Sequence, residues 1–306
     1  MTANGTLRDD LRTSFPVDRV LCGEPMAKHT SFAVGGPAEF FVDVHDATEI
    51  VTLIKIAKRH AAPWHVIGCG SNILVSDAGL PGIVIHIGAE FSHVEIDDTK
   101  IHAQAGATNK QVADAALAAG LAGYEFASGI PGSVGGAAIM NAGAYDGEFR
   151  DVAESVECLT PDGELVTVSA ADARWRYRGS MMMDAGYIVT GATIALAPAD
   201  TESIQAKMTD LETRRRDKQP LEYPSAGSTF KRPTGHFAGK LIDEAGMRGH
   251  RVGGAMVSKK HAGFVVNVDN ATAADVLQVI HDVQDAVYAS AGVRLETEVR
   301  LWGFKE

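Results

Sequence analysis

A chain of 306 residues is long enough for two or three domains, and an apolar fraction of 45% with a charged fraction of 22% indicates a soluble globular protein. The net charge of −11 argues against nonspecific nucleic-acid binding, which needs a basic surface, so a nucleotide ligand would require basic residues concentrated at its own site. Cys22, Cys69 and Cys158 are odd in number, widely spaced and without a C-x-x-C pair, which points to neither a disulfide framework nor a zinc site. With no apolar signal core and no membrane-length apolar run, the expected setting is the cytoplasm, away from the membrane.

Residues 1–25 are polar with a few apolar positions and read as a short helix or arm. Residues 28–38 are a turn-rich entry to a strand over 39–44. Asp46 with Glu49 three residues on, followed by Ile50, Leu53, Ile54 and Ala57, predicts a capped helix over 47–60. The apolar runs His65-Val66-Ile67 and Ile73-Leu74-Val75 then enclose Gly68-Cys69-Gly70-Ser71-Asn72, a tight loop between two strands. Glycines there allow successive backbone N–H groups to converge on an anion such as a pyrophosphate. A dinucleotide fingerprint of the G-x-G-x-x-G kind would need glycine at Ile73 and a helix directly after, and neither is present. A glycine-rich turn is more often only a turn.

After a strand over 82–87 the pattern restarts, with a strand over 101–105 and a helix over 109–119 stopped by Gly120. The run from Gly129 to Tyr145 carries Gly132, Ser133, Gly135, Gly136, Asn141 and Ala142 among other small residues. Such a stretch buries little side chain and costs chain entropy, so backbone lying against a long ligand is one reason for it and close helix-to-sheet packing is the other. Thr160-Pro161-Asp162-Gly163 between 152–159 and 164–168 is a hairpin signal, and 187–196 a long strand. If extended, Arg174-Trp175-Arg176-Tyr177-Arg178 would show its guanidinium groups on one face, which by itself reads as an exposed basic edge. Residues 201–216 form an amphipathic helix with Ile204, Met208 and Leu211 inward, and its basic end suits the helix dipole. Ser228 in the run 224–233 reads locally as a turn residue. A short helix over 239–246, a strand over 261–268 and a capped helix over 272–291 follow. The chain closes on an alternating strand with Leu295, Thr297, Val299 and Leu301 on one face and Glu296, Glu298 and Arg300 on the other.

The pair GCGSN and GIPGSVGGAAIMNAGAY resembles the flavin-binding signature of the UDP-N-acetylenolpyruvoylglucosamine reductase family, and the likeness runs from about His29 to the C-terminus. It implies an α+β chain: a vanillyl-alcohol-oxidase/PCMH-type FAD-binding fold of two subdomains over 26–95 and 96–199, preceded by an arm over 1–25. A substrate-binding domain over 200–306 follows. FAD, bound non-covalently, would contact Gly68, Gly70, Ser71, Asn72, Gly129, Gly132, Ser133, Gly136, Asn141 and Ala142. Tyr177-Arg178-Gly179-Ser180 is similar to the family's Y-R-x-S motif, which makes Arg178 catalytic and leaves Arg174 and Arg176 as structure. Pro224-Ser225-Ala226-Gly227-Ser228-Thr229-Phe230-Lys231 resembles the catalytic loop whose serine donates a proton, and the L-x-x-E-V ending points to Glu298 as catalytic. Arg215, Lys218 and Lys231 would hold the substrate. The implied reaction takes hydride from NADPH through the flavin to the enolpyruvyl double bond of a UDP-linked sugar, a step toward peptidoglycan, in a monomer. Asp146 departs from the family, standing where glycine is common, and the interval from Arg178 to Ser228 lacks room for a substrate-capping insertion. A related FAD-dependent oxidase of an alcohol or sugar and a non-catalytic nucleotide-binding protein are the alternative readings.

Overall fold

Apolar side chains gather into two separate cores, and the chain passes repeatedly from one to the other. The computed structural model describes residues 6–304. One unit comprises Met1–Cys22, Phe40–Cys69 and Pro81–Arg215; the second comprises Gly23–Glu39, Gly70–Leu80 and Arg216–Glu306. These boundaries differ from the expected 1–25, 26–95, 96–199 and 200–306, and the cores give the reason. Ile50, Leu53 and Ile85 from the first expected subdomain and Ile101, Val156 and Ile194 from the second belong to one continuous apolar cluster.

The stretch expected to be an arm contributes to that cluster. Its residues 1–5 lie outside the described residues; beyond them Leu7–Ser14 is helical, with the Thr6 hydroxyl accepting the Asp9 N–H at the start. Leu11, Phe15 and Val20 are buried. Val20–Pro25 is an edge strand of a four-stranded sheet that continues with Pro37–Val44, Leu80–Ile87 and Trp64–Ile67. The helix Ala47–Arg59 covers it with Ile50, Leu53, Ile54 and Ala57, and the Asp46 carboxylate caps it by accepting the Glu49 N–H at 2.9 Å, as the cap signal predicts. A five-stranded sheet runs in the order Leu165–Ser169, Ala153–Leu159, Ile188–Ala195, Lys100–Gln104, Val94–Asp97, antiparallel throughout. Its central strand Ile188–Ala195 is buried at every position but the last, which is why it reads as a continuous apolar run rather than an alternating one. The helix Thr201–Lys218 closes the unit with Ile204, Met208 and Leu211 buried.

In the second unit a three-stranded antiparallel sheet, Arg251–Val252, Ala255–Val257 and Val265–Asn267, carries the helices Ala238–Glu244 and Ala273–Ala291. Val276, Val279, Ile280, Val283 and Val287 recur at helical spacing and are all buried. The long helix starts on a Thr272–Asp275 capping box, and the Asp77 carboxylate accepts the Ala273 and Ala274 N–H groups at 2.8 and 2.9 Å. Ile73–Val75 pairs in parallel with Arg300–Trp302.

Two expected strands shorten. The strand expected over 261–268 holds only at Val265–Asn267, because His261–Phe264 is a turn in which Phe264 N–H donates to His261 O. The alternating strand expected over 295–301 is regular only at Arg300–Trp302. Leu295 and Val299 are buried as the alternation requires, whereas Leu301 is 38% exposed, so the inward face ends one residue pair early.

Candidate active site

In the first unit the strand Trp64–Ile67 delivers Gly68 against the second small-residue run. A Cβ on Gly68 would lie 2.5 Å from Ser133 Oγ, so the two stretches meet there and a side chain at 68 would force the Ser133 hydroxyl to move. The second run is fastened from beneath. Val134 N–H donates to Ala107 O and Gly135 N–H to Ala105 O, at 2.8 and 2.9 Å. Asn109, at the start of the helix Asn109–Ala118, donates its backbone N–H to Gly132 O at 3.1 Å and its Nδ2 to Ile130 O at 3.3 Å. Its Oδ1 accepts the Tyr124 hydroxyl at 2.9 Å. Both side chains are buried, and burial pushes the Tyr124 phenol well above its ordinary pKa, which keeps it a neutral donor. Sequence reading missed this support, since asparagine beside a Thr108 cap looks like helix-start chemistry and nothing in the sequence joins it to Tyr124. Among the described residues, none accepts a hydrogen bond from the backbone N–H of Gly132 or Ser133.

From Ser133 the chain enters the helix Val134–Met140, with Gly136 on its exposed side, and leaves it at Asn141. Asn141 is left-handed, with φ 45°, and has no exposed surface. Its Nδ2 donates to Glu148 Oε2 at 2.9 Å and to Arg176 O at 3.3 Å, and its Oδ1 accepts the Arg150 N–H at 3.0 Å. Ala142, beside it, donates its N–H to Ala137 O and accepts that of Phe149.

Trp175 Nε1 donates to Ala138 O at 2.8 Å and Ser180 Oγ to Ile139 O at 2.9 Å, so both sides of the Arg178 turn hang on the last carbonyls of that helix. The condition for a shared arginine face is not met at the turn. Residues 174–178 are not extended: Arg176 and Gly179 exchange both backbone hydrogen bonds across Tyr177-Arg178, and Arg174 and Arg178 have φ of 44° and 54°. The arginines therefore do not share a face. Arg176 pairs with Asp184 at 2.6 Å, while half-buried Arg178 lies over the Tyr177 ring, 5.0 Å from its centroid. Arg178 occupies the turn position where φ is positive and glycine is the easy choice.

The second unit carries the rest of the first glycine stretch. Gly70 has φ 58°, and a Cβ on it would overlap the His29 carbonyl, whose neighbour Ser31 donates its N–H to Gly70 O at 3.1 Å. Among the described residues, none accepts the backbone N–H of Gly70, Ser71 or Asn72. Asn72 Nδ2 donates to Glu298 O at 3.2 Å, and Arg300 N–H donates to Asn72 O at 3.0 Å. Glu298 N–H in turn donates to Thr229 O at 2.8 Å, and Phe230 pairs with Thr297. Ser228 is exposed and directly precedes Thr229, which is fully buried and whose Oγ1 accepts the Val265 N–H at 3.0 Å. A hydroxyl residue and a carboxyl residue are thus brought onto adjoining segments from 70 positions apart in sequence. Lys231 donates its N–H to Glu296 O and pairs with that residue's carboxylate at 3.0 Å. Lys218 is exposed at the end of its helix, and Arg215, by contrast, is buried. Among the described residues no group of three His, Cys, Asp or Glu is placed to hold a metal, and no helix is long and apolar enough to cross a membrane.

The family described as FAD binding domain matches residues 38–169, and the C-terminal domain of UDP-N-acetylenolpyruvoylglucosamine reductase matches 219–302. The chain is 50% identical over 278 residues to the UDP-N-acetylenolpyruvoylglucosamine reductase of Clostridium beijerinckii, covering 91% of each. It is 49% identical to that of Agathobacter rectalis, over 98% of this chain and 99% of the relative. The crystal structure of the reductase from Thermus caldophilus superposes with a TM-score of 0.81 at 37% identity, over 93% of this chain and 99% of that one. The Bermuda grass isoallergen BG60 shares the fold alone, with a TM-score of 0.50 and 18% identity over 63% of this chain and 44% of that one. The chain is therefore a member of the UDP-N-acetylenolpyruvoylglucosamine reductase family of oxidoreductases, α+β in class, with an FAD-binding domain of the vanillyl-alcohol-oxidase/PCMH type.

Proposed function

We propose that this chain reduces UDP-N-acetylenolpyruvoylglucosamine to UDP-N-acetylmuramate for peptidoglycan synthesis, with NADPH as reductant and Ser228 as proton donor. The observation that carries the reading is the hydrogen bond from Glu298 N–H to Thr229 O, which sets an acid and a hydroxyl on adjoining segments tied to the first glycine stretch through Asn72.

The residues present fit FAD. Gly68 lies against the Ser133 hydroxyl, and the N–H groups of Gly132 and Ser133 in the first unit, and by themselves those of Gly70, Ser71 and Asn72 in the second, have no acceptor among the described residues, donors of the kind a diphosphate takes. The chemistry supplied by bound FAD is hydride transfer from NADPH to the enolpyruvyl double bond. The protein must meet the charge that grows on the substrate's carboxylate side, a task suited to the Arg178 guanidinium and the Glu298 carboxyl group. It must then deliver a proton to the second alkene carbon. A serine hydroxyl is a weak acid, so Ser228 Oγ can give up its proton only to a strongly basic carbon, which places hydride arrival before protonation. Lys218, exposed at its helix end, and Lys231 supply cations for the sugar nucleotide's diphosphate.

The test is anaerobic. The purified yellow protein is reduced with NADPH and then mixed with the enolpyruvyl sugar nucleotide. Stoichiometric return of the oxidised flavin spectrum with formation of the lactyl ether supports the reading. No reoxidation by the sugar nucleotide, followed by reoxidation at a catalytic rate once oxygen is admitted, would assign the chain to oxidase chemistry, and a protein that takes up no FAD would leave only nucleotide binding.

A further inference from the structure

Arg215 lies on the wrong side of its helix for a residue that meets a ligand in solvent. It continues the buried stripe Ile204, Met208, Leu211 and is 8% exposed, whereas Arg214, Arg216 and Lys218 around it are exposed. Its Nη1 donates to the carbonyl oxygen of Gly129. Its Cζ stands 5.9 Å from the centroid of the Tyr145 ring. Gly129 opens the second small-residue run and Tyr145 closes it. One guanidinium therefore touches both ends of a 17-residue stretch that buries few side chains of its own.

We propose that Arg215 is a positioning residue of the cofactor loop: its guanidinium braces the two ends of the run 129–145, so that FAD affinity depends on it. The inference rests on the FAD reading above and goes beyond it, since the sequence reading places Arg215 with the substrate.

Two further features support the brace. A Cβ on Gly129 would lie 3.0 Å from Arg215 Nε and 3.2 Å from Cζ, so the planar group rests directly on the glycine backbone and would have to shift by a few tenths of an ångström to admit a methyl group. No carboxylate pairs with Arg215 among the described residues, so its buried charge is compensated by the Gly129 carbonyl and the Tyr145 ring. A flat fork with five donors can reach a carbonyl and lie near a ring at once; a lysine ammonium is a point charge on a flexible stem and cannot hold the same two partners.

The experiment titrates FAD into apo-protein of the wild type, Arg215→Lys, Arg215→Ala, Gly129→Ala and the double variant Arg215→Ala/Gly129→Ala, followed by flavin fluorescence. KM for the sugar nucleotide is then measured with FAD saturating. The expected result is FAD affinity weakened about tenfold or more in Arg215→Lys and in Gly129→Ala, and a double variant little worse than Arg215→Ala, since one contact is lost in each. KM for the sugar nucleotide should change less than the FAD affinity does. FAD binding within about twofold of wild type in Arg215→Lys and Gly129→Ala, with the whole loss appearing in KM, would overturn the proposal and return Arg215 to the substrate. Should Arg215→Ala fail to fold, the two milder variants decide alone. A wild-type protein that binds no FAD would instead refute the cofactor reading, a separate and visible failure.

Discussion

Asn141 offers a sharp separation between holding a cofactor and holding the protein. All three of its side-chain hydrogen bonds go to the protein, to Glu148 Oε2, Arg176 O and Arg150 N–H, and it has no exposed surface. Removing the amide in Asn141→Ala leaves the Arg176 carbonyl and the Arg150 N–H without that partner. At about 0.5–1.5 kcal/mol net for each of the three hydrogen bonds, the loss is about 1.5–4.5 kcal/mol. A further cost of about 1 kcal/mol comes from placing alanine in a left-handed conformation that asparagine tolerates better. Asn141→Gly loses the same bonds without that conformational cost, so it should be the less destabilised by about 1 kcal/mol. Urea unfolding of the apo-proteins followed by far-ultraviolet circular dichroism measures both differences. Because Arg176 O is one of the anchors of the Arg178 turn, turnover should fall in both variants even with FAD saturating. If Asn141→Ala kept its stability within about 0.5 kcal/mol and lost only FAD affinity, the amide would be a cofactor ligand and the clamp reasoning would be refuted.

Four other outcomes follow from the same geometry. Ser228→Ala should accept hydride from NADPH at the wild-type rate but transfer it to the sugar nucleotide about 100-fold or more slowly; equal slowing of both half-reactions, measured by stopped flow, would remove the serine from proton transfer. Asn72→Ala cuts the hydrogen bond to the Glu298 carbonyl and should slow reoxidation by the sugar nucleotide about tenfold with little effect on reduction by NADPH, unless the contact at 3.2 Å positions nothing. Tyr145 and Asp146 have φ of 51° and 68° in a two-residue hairpin loop that pairs Ala144 with Gly147, so Asp146→Gly should raise stability by about 0.5–1 kcal/mol in urea, and a loss would refute the turn assignment. Hydrogen bonds from Gln278 and then His250 hold the Asp282 carboxyl below its ordinary 3.8, so its contribution to stability is complete above that value and is lost as pH falls through the lowered one. The stability gap between wild type and Asp282→Asn should therefore narrow from pH 6 toward pH 3, and a gap that is constant across that range would contradict the assigned cause.

The elements legible in the sequence are those whose signals are local. Asp46, Thr272 and the apolar spacing behind each fixed two helices, and the Pro-Asp-Gly turn fixed the pairing of Leu159 with Leu165. What could not be read is held by contacts across long separations. Arg174 and Arg178 look like members of an extended basic strand until Trp175, Ser180 and Asn141 are seen to tie that segment to the end of one short helix, which forces two arginines to positive φ. Arg215 looks like one of several basic residues favoured by a helix C-terminus, and only the burial of its own stripe separates it from Arg214 and Arg216. Asp146 stands where the family commonly has glycine, and the turn forms with aspartate in the left-handed region. The common cause is that hydrogen-bond partners 35 to 226 positions apart, such as Asn141 with Arg176 and Asn72 with Glu298, leave no periodic trace in either strand or helix patterning. Residues whose chemistry reaches across the fold therefore announce their type in the sequence but not their task, and the task follows from which carbonyl or amide each one is holding.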